Sequence, residues 1–426
     1  MADPTSANRP LDTDLIIAGG GLAGATLALA MARLVPEVRV TVVESFPLAS
    51  DALPEDYQPS YDARSTALAW GSRQIFEGLG LWPVLAEHAT PIRHIHVSDR
   101  GRFGATRLHA SEHDQEALGY VADNRWMGLS LMAALADTNV RWLAPAEVAH
   151  MVPLEQGVRV EVRRDNEPET LTAQCLVVAD GGRSGLREAL GFRVETRDYG
   201  QNALIANVST ADAHQFTAYE RFTESGPMAL LPHGSPNRAS QESALVWTLD
   251  DTELDAVLAL SDEQKCQRLQ ARFGWRLGQF TRIGACHHYP LKLTTVEAPV
   301  RPGVALVGNA AHALHPVAGQ GFNLALRGLM TLVAQFRRAV DKGQSLGDLS
   351  VLKAYQDQHR DDRARTVQFS DSLIRVFGER SLPFAAARDA GLVGLDLLPV
   401  AKRWFARQAM GTGGRVPVFD KAPDHV

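Results

Sequence analysis

The chain has 426 residues, 45% hydrophobic and 22% charged, which excludes a disordered, fibrous or low-complexity protein and gives length for about two or three domains. Forty-three Lys and Arg against 49 Asp and Glu leave a net charge of −6, so most of the surface repels a phosphate backbone and nucleic acid is not expected as a partner. Three cysteines, Cys175, Cys266 and Cys286, without short paired spacing, indicate neither a disulfide framework nor a metal knuckle; no metal is expected, and a reducing, cytoplasmic compartment fits.

The residues through Pro10 are polar and read as loose. Leu15 to Ala18 reads as a buried strand, Gly19, Gly20, Gly21 and Gly24 as a tight turn, and Ala25 to Leu34 as a helix that Pro36 ends. Val38 to Val43 is a second apolar run, closing at Glu44. The uncharged stretch Leu15 to Ala32 approaches membrane-spanning length, but Asp12 and Asp14 precede it and glycines interrupt it. It reads as a βαβ unit rather than a signal peptide.

Further strands are expected at Val158 to Arg163 and Leu171 to Ala179, joined by a turn at Asn166-Glu-Pro. Nucleotide-type junctions recur at Ala179-Asp180-Gly181-Gly182 and at Val304 to Gly308, so one α/β domain is discontinuous. A β-rich insertion covering parts of 70–120 and about 190–300 interrupts it. From Gln320 the chain turns helical, through Tyr355 to Phe377 and on to Met410, with breaks at Pro383 and Pro399.

Gly19-Gly20-Gly21-Leu22-Ala23-Gly24 matches the dinucleotide fingerprint. Gly19 permits the tight turn, Gly21 lets the backbone approach a pyrophosphate, and Gly24 lets the helix pack closely on the strand, with the phosphate resting on the helix N-terminus. Glu44, at the end of the second strand, is placed to accept hydrogen bonds from a ribose. The alternative is a merely tight packing turn. The fingerprint alone does not separate FAD from NAD.

The three segments Gly19 to Gly24, Val177-Val178-Ala179-Asp180-Gly181-Gly182-Arg183-Ser184 and Gly303 to His312 together resemble the class A flavoprotein aromatic hydroxylases, the group of para-hydroxybenzoate hydroxylase. His315-Pro316-Val317-Ala318-Gly319-Gln320-Gly321-Phe322-Asn323-Leu324 is similar to the signature of the ubiquinone-biosynthesis hydroxylases within that group. Asp62 to Leu68, His96 to Gly101, Glu220 to Thr223 and Phe273 to Gly278 resemble their 2-polyprenyl-6-methoxyphenol hydroxylase branch. The likeness runs from about residue 14 to about residue 410.

The resemblance implies an α/β fold with a discontinuous Rossmann-like FAD-binding domain over 1–75, 120–190 and 300–345, an inserted β-rich substrate domain over 76–119 and 191–299, and a C-terminal helical region over 346–426. It implies FAD as cofactor, NAD(P)H as transient electron donor, and hydroxylation of a polyprenylated methoxyphenol by O2 through a flavin C4a-hydroperoxide. The cofactor-binding residues it implies are Gly19, Gly21, Leu22, Ala23, Gly24, Glu44, Arg64, Asp180, Gly181, Gly308, Asn309, Gly319, Gly321, Phe322 and Asn323, and the catalytic ones Pro316, Gly319, Gln320 and Gly321. Gly319-Gln320-Gly321 precedes a helical pattern, so its backbone N–H groups and the helix dipole can face the flavin edge where charge accumulates on reduction.

The chain departs from the family where Gly308-Asn309 replaces the commoner Gly-Asp, and at Leu129, where many relatives carry a flavin-contacting polar residue. Arg64 is read either as a cofactor or nicotinamide-phosphate ligand or as half of a structural ion pair. Asp180 could be just a helix N-cap. His312 and His315 invite an acid–base reading because histidine titrates near neutrality, against packing and turn-support roles. Leu392 to Met410 is apolar on one side, with Lys402, Arg403 and Arg407 beside it; it either packs on its own domain or docks on a membrane or partner. A peripheral location at the inner membrane face and membership of a ubiquinone-biosynthesis complex follow from the lipid substrate. The other functions left open are a flavin-dependent lipid reductase or epoxidase, and a non-catalytic FAD-bound scaffold.

Overall fold

The computed structural model describes residues 11–48, 64–164, 167–314, 319–378 and 382–413. Leu15–Ala18 and Val40–Val43 form as parallel strands, with helix Leu22–Leu34 between them. The helix begins three residues before the expected Ala25, because the turn is complete at Gly21. These strands sit in a six-stranded sheet whose order is Val300–Arg301, Val304–Leu306, Cys175–Val178, Leu15–Ala18, Val40–Val43 and Arg141–Leu143. Pairing is parallel except at the Val300–Arg301 edge.

Continuous apolar runs suit this sheet because both of its faces are covered. Leu15 and Ile17 turn toward the helices Leu22–Leu34, Asn124–Ala136 and Gln320–Asp341, while Ile16 and Ala18 turn toward a three-stranded antiparallel sheet carrying Val158, Val160 and Leu171. The expected single strand Leu171 to Ala179 is in fact two. Glu167–Ala173 pairs in the three-stranded sheet, and Cys175–Val178 joins the parallel one. The crossing is fixed at Gln174, whose backbone N–H donates to the Asp14 carbonyl and whose amide donates to the Asp14 carboxylate. The turn expected at Asn166-Glu-Pro is also displaced, since Pro168 pairs with Arg163 inside the strand; Asn166 lies outside the described residues.

The second large layer is a nine-stranded sheet built from His94–Asp99, Ala105–His109 and the strands between Val194 and Val296, closed at one edge by His312–Ala313. Helices Asp251–Leu258 and Asp262–Phe273 pack on one face through Leu254, Leu269 and Phe273. The limit expected between 75 and 76 falls inside helix Trp70–Gly78, and Ile75, Phe76 and Trp82 pack with the first helical layer. Helices Gln320–Asp341, Leu349–Gly378, Leu382–Leu397 and Pro399–Ala409 follow, with Pro383 and Pro399 in the first turns of the last two.

Candidate functional site

A cavity of about 1040 Å³ runs between the two large sheets. It reaches the top of the range of about 300–1,000 Å³ usual for ligand pockets, enough for a large cofactor and a second ligand. One end is lined by Gly19, Gly21, Leu22, Ala23, Glu44, Arg64, Asp180, Gly181, Gly308 and Asn309. Apart from Arg64, which precedes the antiparallel strand Ser65–Ala69, these residues, scattered over nearly 300 positions of sequence, meet because the parallel strands that lead into them end side by side.

The glycines have separate tasks. Gly19 is left-handed at φ +102°, and a Cβ there would come within 2.8 Å of the Ala179 carbonyl oxygen. At Gly24 a Cβ would lie 1.9 Å from the Gly19 carbonyl oxygen. Gly21 is different: its Cβ would meet nothing within 4 Å, so the first turn of the helix stands open to the cavity. That free space beside unpaired N–H groups fits a phosphate. The Gly20 N–H donates to Glu44 Oε2 at 2.6 Å and the Phe46 N–H to Oε1 at 2.9 Å, fixing the carboxylate against the turn with lone pairs left for a ribose.

Arg64 has no carboxylate partner among the described residues. Its guanidinium donates to the Tyr289 hydroxyl at 2.6 Å, and it lines the cavity as a retained positive charge. Asp180 is not a helix cap: the next helix is the short Leu186–Ala189, capped by Gly185, and Asp180 accepts from the Gly182 N–H and the Ser184 hydroxyl. The junction after Val304–Leu306 likewise leads into a single turn, Gly308–Ala310, rather than a helix.

Gly319, in the left-handed region at φ +60°, is the N-cap of Gln320–Asp341, and a Cβ on Gly321 would meet nothing within 4 Å. This first turn opens toward the cavity, which Gly319, Gly321, Phe322 and Asn323 line. Two side chains of this segment are engaged by protein. The Gln320 side chain is buried in a separate small recess with Arg327 and Asp362 and does not line the cavity, while the role expected of Gln320 rests on its backbone N–H. The Asn323 amide is fully engaged with protein: Oδ1 accepts from the Ala69 N–H and the Ser72 hydroxyl, and Nδ2 donates to the Ala67 and Gly319 carbonyls. It acts as a positioning residue that clamps strand Ser65–Ala69 to the helix start. Pro316 and His315 lie outside the described residues.

His312 is buried with both ring nitrogens lacking hydrogen-bond partners in the described structure. Burial, then His359, Arg363 and Arg327, push it down to about 3, so it stays neutral near pH 7 and packs rather than shuttles protons. Leu129 packs against the helical core, and Asn124 at the start of its helix is the cavity-lining polar residue instead, joined to Thr66 at 2.6 Å. Strand Ser65–Ala69 is also held from behind. The Ser65 hydroxyl donates to buried Asp123, whose Oδ1 lies 2.9 Å from His233 Nε2.

Burial disfavours charge on His233, but Asp123 and Glu242 outweigh it and raise it to about 9. A raised histidine adds stability below its unfolded value of about 6.5 that is lost as pH rises through about 9. The stability advantage of the wild type over His233→Gln should therefore be largest below pH 6.5 and shrink toward pH 10. Thermal unfolding of both proteins across that range checks it; a constant difference would show that His233 is not charged in the fold.

The other end of the cavity is apolar. Ile95, Val97 and Phe222 from the large sheet face Phe369, Leu373 and Phe405 from the C-terminal helices. Sequence reasoning missed these helical residues, which carry no motif. The segments similar to the methoxyphenol branch divide at the sheet: Val97, Glu220 and Phe222 line the cavity, whereas His96, Arg221 and Arg276 do not. Arg276 instead lies 3.4 Å from the Ser98 hydroxyl, so part of that likeness serves the outer side of the sheet.

Residues 12–370 match the family described as FAD binding domain. The chain is 34% identical over 418 residues to the ubiquinone hydroxylase UbiL of Rhodospirillum rubrum, covering 96% of this chain and 94% of that protein. It is 28% identical over 409 residues to the 3-demethoxyubiquinol 3-hydroxylase of Escherichia coli, covering 95% and 99%. Among solved structures, p-nitrophenol 4-monooxygenase PnpA from Pseudomonas putida shares the fold at a TM-score of 0.76 and 18% identity, covering 95% of this chain and 98% of that one.

Proposed function

The chain belongs to the FAD binding domain family and is a flavoprotein monooxygenase, and from that premise we propose that it hydroxylates the aromatic ring of a polyprenylated methoxyphenol in ubiquinone biosynthesis. The observation that carries the reading is one cavity with a dinucleotide cradle at one end and an apolar chamber at the other. Both named relatives above are hydroxylases of ubiquinone-type compounds, which supports the substrate class. FAD, when bound, supplies electron transfer from NAD(P)H and oxygen activation.

In this reading Gly21, Leu22 and Ala23 bind the pyrophosphate through the helix N-terminus, and Glu44 holds the adenosine ribose. Gly308 and Asn309 border the ribityl chain, and Asn309 offers an amide where the family commonly has a carboxylate. The open first turn at Gly319 to Phe322 stabilises negative charge at the flavin edge. Arg64, oriented by Tyr289, binds an anionic group of the cofactor or of the nicotinamide donor. Apolar walls of Val97, Phe222 and Phe405 orient the prenylated ring and exclude water from the reaction.

The test is mass spectrometry of products from a defined prenylated methoxyphenol, with purified protein, NAD(P)H and 18O2. Expected are one added 18O on the ring and phenol-stimulated NAD(P)H oxidation. Oxidation of the prenyl chain instead would favour the epoxidase reading, and bound FAD with no stimulation by any phenol would favour a scaffold. A peripheral membrane position and attachment to a biosynthetic assembly complete the proposal, since a prenylated ring partitions into lipid.

A further inference from the structure

Four of the eleven exposed large hydrophobic side chains among the described residues fall within eight consecutive positions: Leu397, Leu398, Val400 and Trp404. Leu397 is 72% and Val400 74% exposed, and Pro399 between them is exposed as well. Together they form an apolar knuckle where helix Leu382–Leu397 meets helix Pro399–Ala409. Such contiguous exposed apolar surface marks an interaction site, unlike single scattered hydrophobes.

The knuckle is fixed to the body of the protein. Arg388 pairs with buried Asp99 at 2.6 Å, the Thr106 hydroxyl donates to the Leu392 carbonyl, the Arg107 N–H donates to Asp396, and Lys402 meets Glu112 at 3.0 Å. Beside the apolar residues stand exposed Arg403 and Arg407, neither of which meets a carboxylate among the described residues. Two unpaired cations next to exposed leucine, valine and tryptophan, in a chain of net charge −6, match an anionic interface rather than the average surface of this protein. Tryptophan and arginine at the edge of an apolar face is the arrangement that partitions into the headgroup region of a bilayer.

The same helix also forms a wall of the cavity. Phe405 and Ala409 line it from inside, with Phe369 beside Phe405 at a ring distance of 5.9 Å. One helix therefore separates the apolar chamber from the exposed knuckle.

We propose that the knuckle Leu397–Val400 with Trp404, Arg403 and Arg407 is a docking surface for an anionic phospholipid bilayer, setting the apolar end of the cavity against the membrane. Docking stands on the exposed residues; its use in delivering a lipid-tailed substrate rests on the function proposed above. No described helix is long and apolar enough to cross a membrane, so the contact is at the surface.

Co-sedimentation of the full-length flavoprotein with phosphatidylethanolamine–phosphatidylglycerol vesicles, and with phosphatidylcholine vesicles, tests the proposal. Wild type should bind the anionic vesicles, and the triple variant Leu397→Glu, Leu398→Glu, Val400→Glu should bind about tenfold or more weakly. Arg403→Glu with Arg407→Glu should remove the preference for anionic over neutral vesicles. All three sites of the triple variant are exposed, so its FAD content and its turnover of a water-soluble short-chain phenol should equal the wild type. Failure of the wild type to bind, equal binding by the triple variant, or a solution dimer that the triple variant breaks without any vesicle binding would each overturn it. Vesicle binding with no phenol-stimulated oxidation would leave docking standing and sink the substrate reading alone.

Discussion

Gly21→Val is expected to give a folded, colourless protein. The Gly21 backbone is extended at φ −64° and ψ −176°, which valine adopts without strain, and an added Cβ meets no protein atom within 4 Å. The fold therefore has no reason to object. The new side chain instead fills the space at the helix N-terminus where a pyrophosphate must approach, so FAD affinity should fall by about 100-fold or more. At a flavin concentration of 100 times the wild-type Kd, the stabilisation of about 2.7 kcal/mol conferred by the cofactor should fall to about 0.4 kcal/mol or less.

Gly24→Val is the contrasting variant. Its Cβ would collide with the Gly19 carbonyl oxygen, so the strand–helix contact itself must open and soluble yield should collapse. Flavin absorbance of the purified proteins, with circular dichroism and unfolding of the apoproteins, separates the two. Normal flavin occupancy in Gly21→Val would remove the phosphate assignment, and a well-folded Gly24→Val would contradict the close helix packing.

The second large effect is expected at Asn323. Its buried amide makes four hydrogen bonds to strand Ser65–Ala69, Ser72 and Gly319, each with a net value of about 1 kcal/mol. Asn323→Ala should therefore destabilise the apoprotein by about 3–4 kcal/mol and lower its unfolding temperature by about 5 °C. Asn323→Asp should also destabilise, because it turns a carboxylate oxygen toward the Ala67 and Gly319 carbonyls in place of a donor. Measurement on the apoprotein is decisive: a residue that merely touched the cofactor would weaken flavin binding and leave apoprotein stability unchanged. Loss of the clamp should move both, since it frees the Gly319 turn and the strand that carries Arg64.

Much of the cradle is legible in the sequence. The glycine spacing, the strand of four apolar residues ahead of it and the acid at the end of the next strand are local chemistry: each follows from what a tight turn, a buried strand and a phosphate require. Leu15–Ala18, the tight turn at Gly19 and the close helix contact at Gly24 survive in the structure for that reason. The side-chain partners of Asn323 and Gln320 are not legible in the sequence, because both sit in a motif segment and a motif does not say which way a side chain turns. On a helix a step of three residues brings a side chain back near the same face, but the partners on that face come from elsewhere in the chain. For Asn323 those partners are Ala67, Ala69 and Ser72, some 250 residues away. The break at Gln174 was missed for a related reason, since an unbroken apolar run gives no sign that its two halves pair with different sheets.

The three separated junctions that build the dinucleotide cradle are readable in short stretches of chain, because backbone geometry at a glycine and the charge of a helix end are properties of a few neighbouring residues. What faces that cradle depends on long-range packing. Phe369, Leu373 and Phe405 close the apolar end of the cavity, and Leu397, Val400 and Trp404 lie open on the outside of the same helical layer. All six are unremarkable apolar residues in helical segments. Whether such a residue lines a chamber, fills a core or meets a surface depends on which element packs against it, and that is settled by contacts between segments hundreds of residues apart.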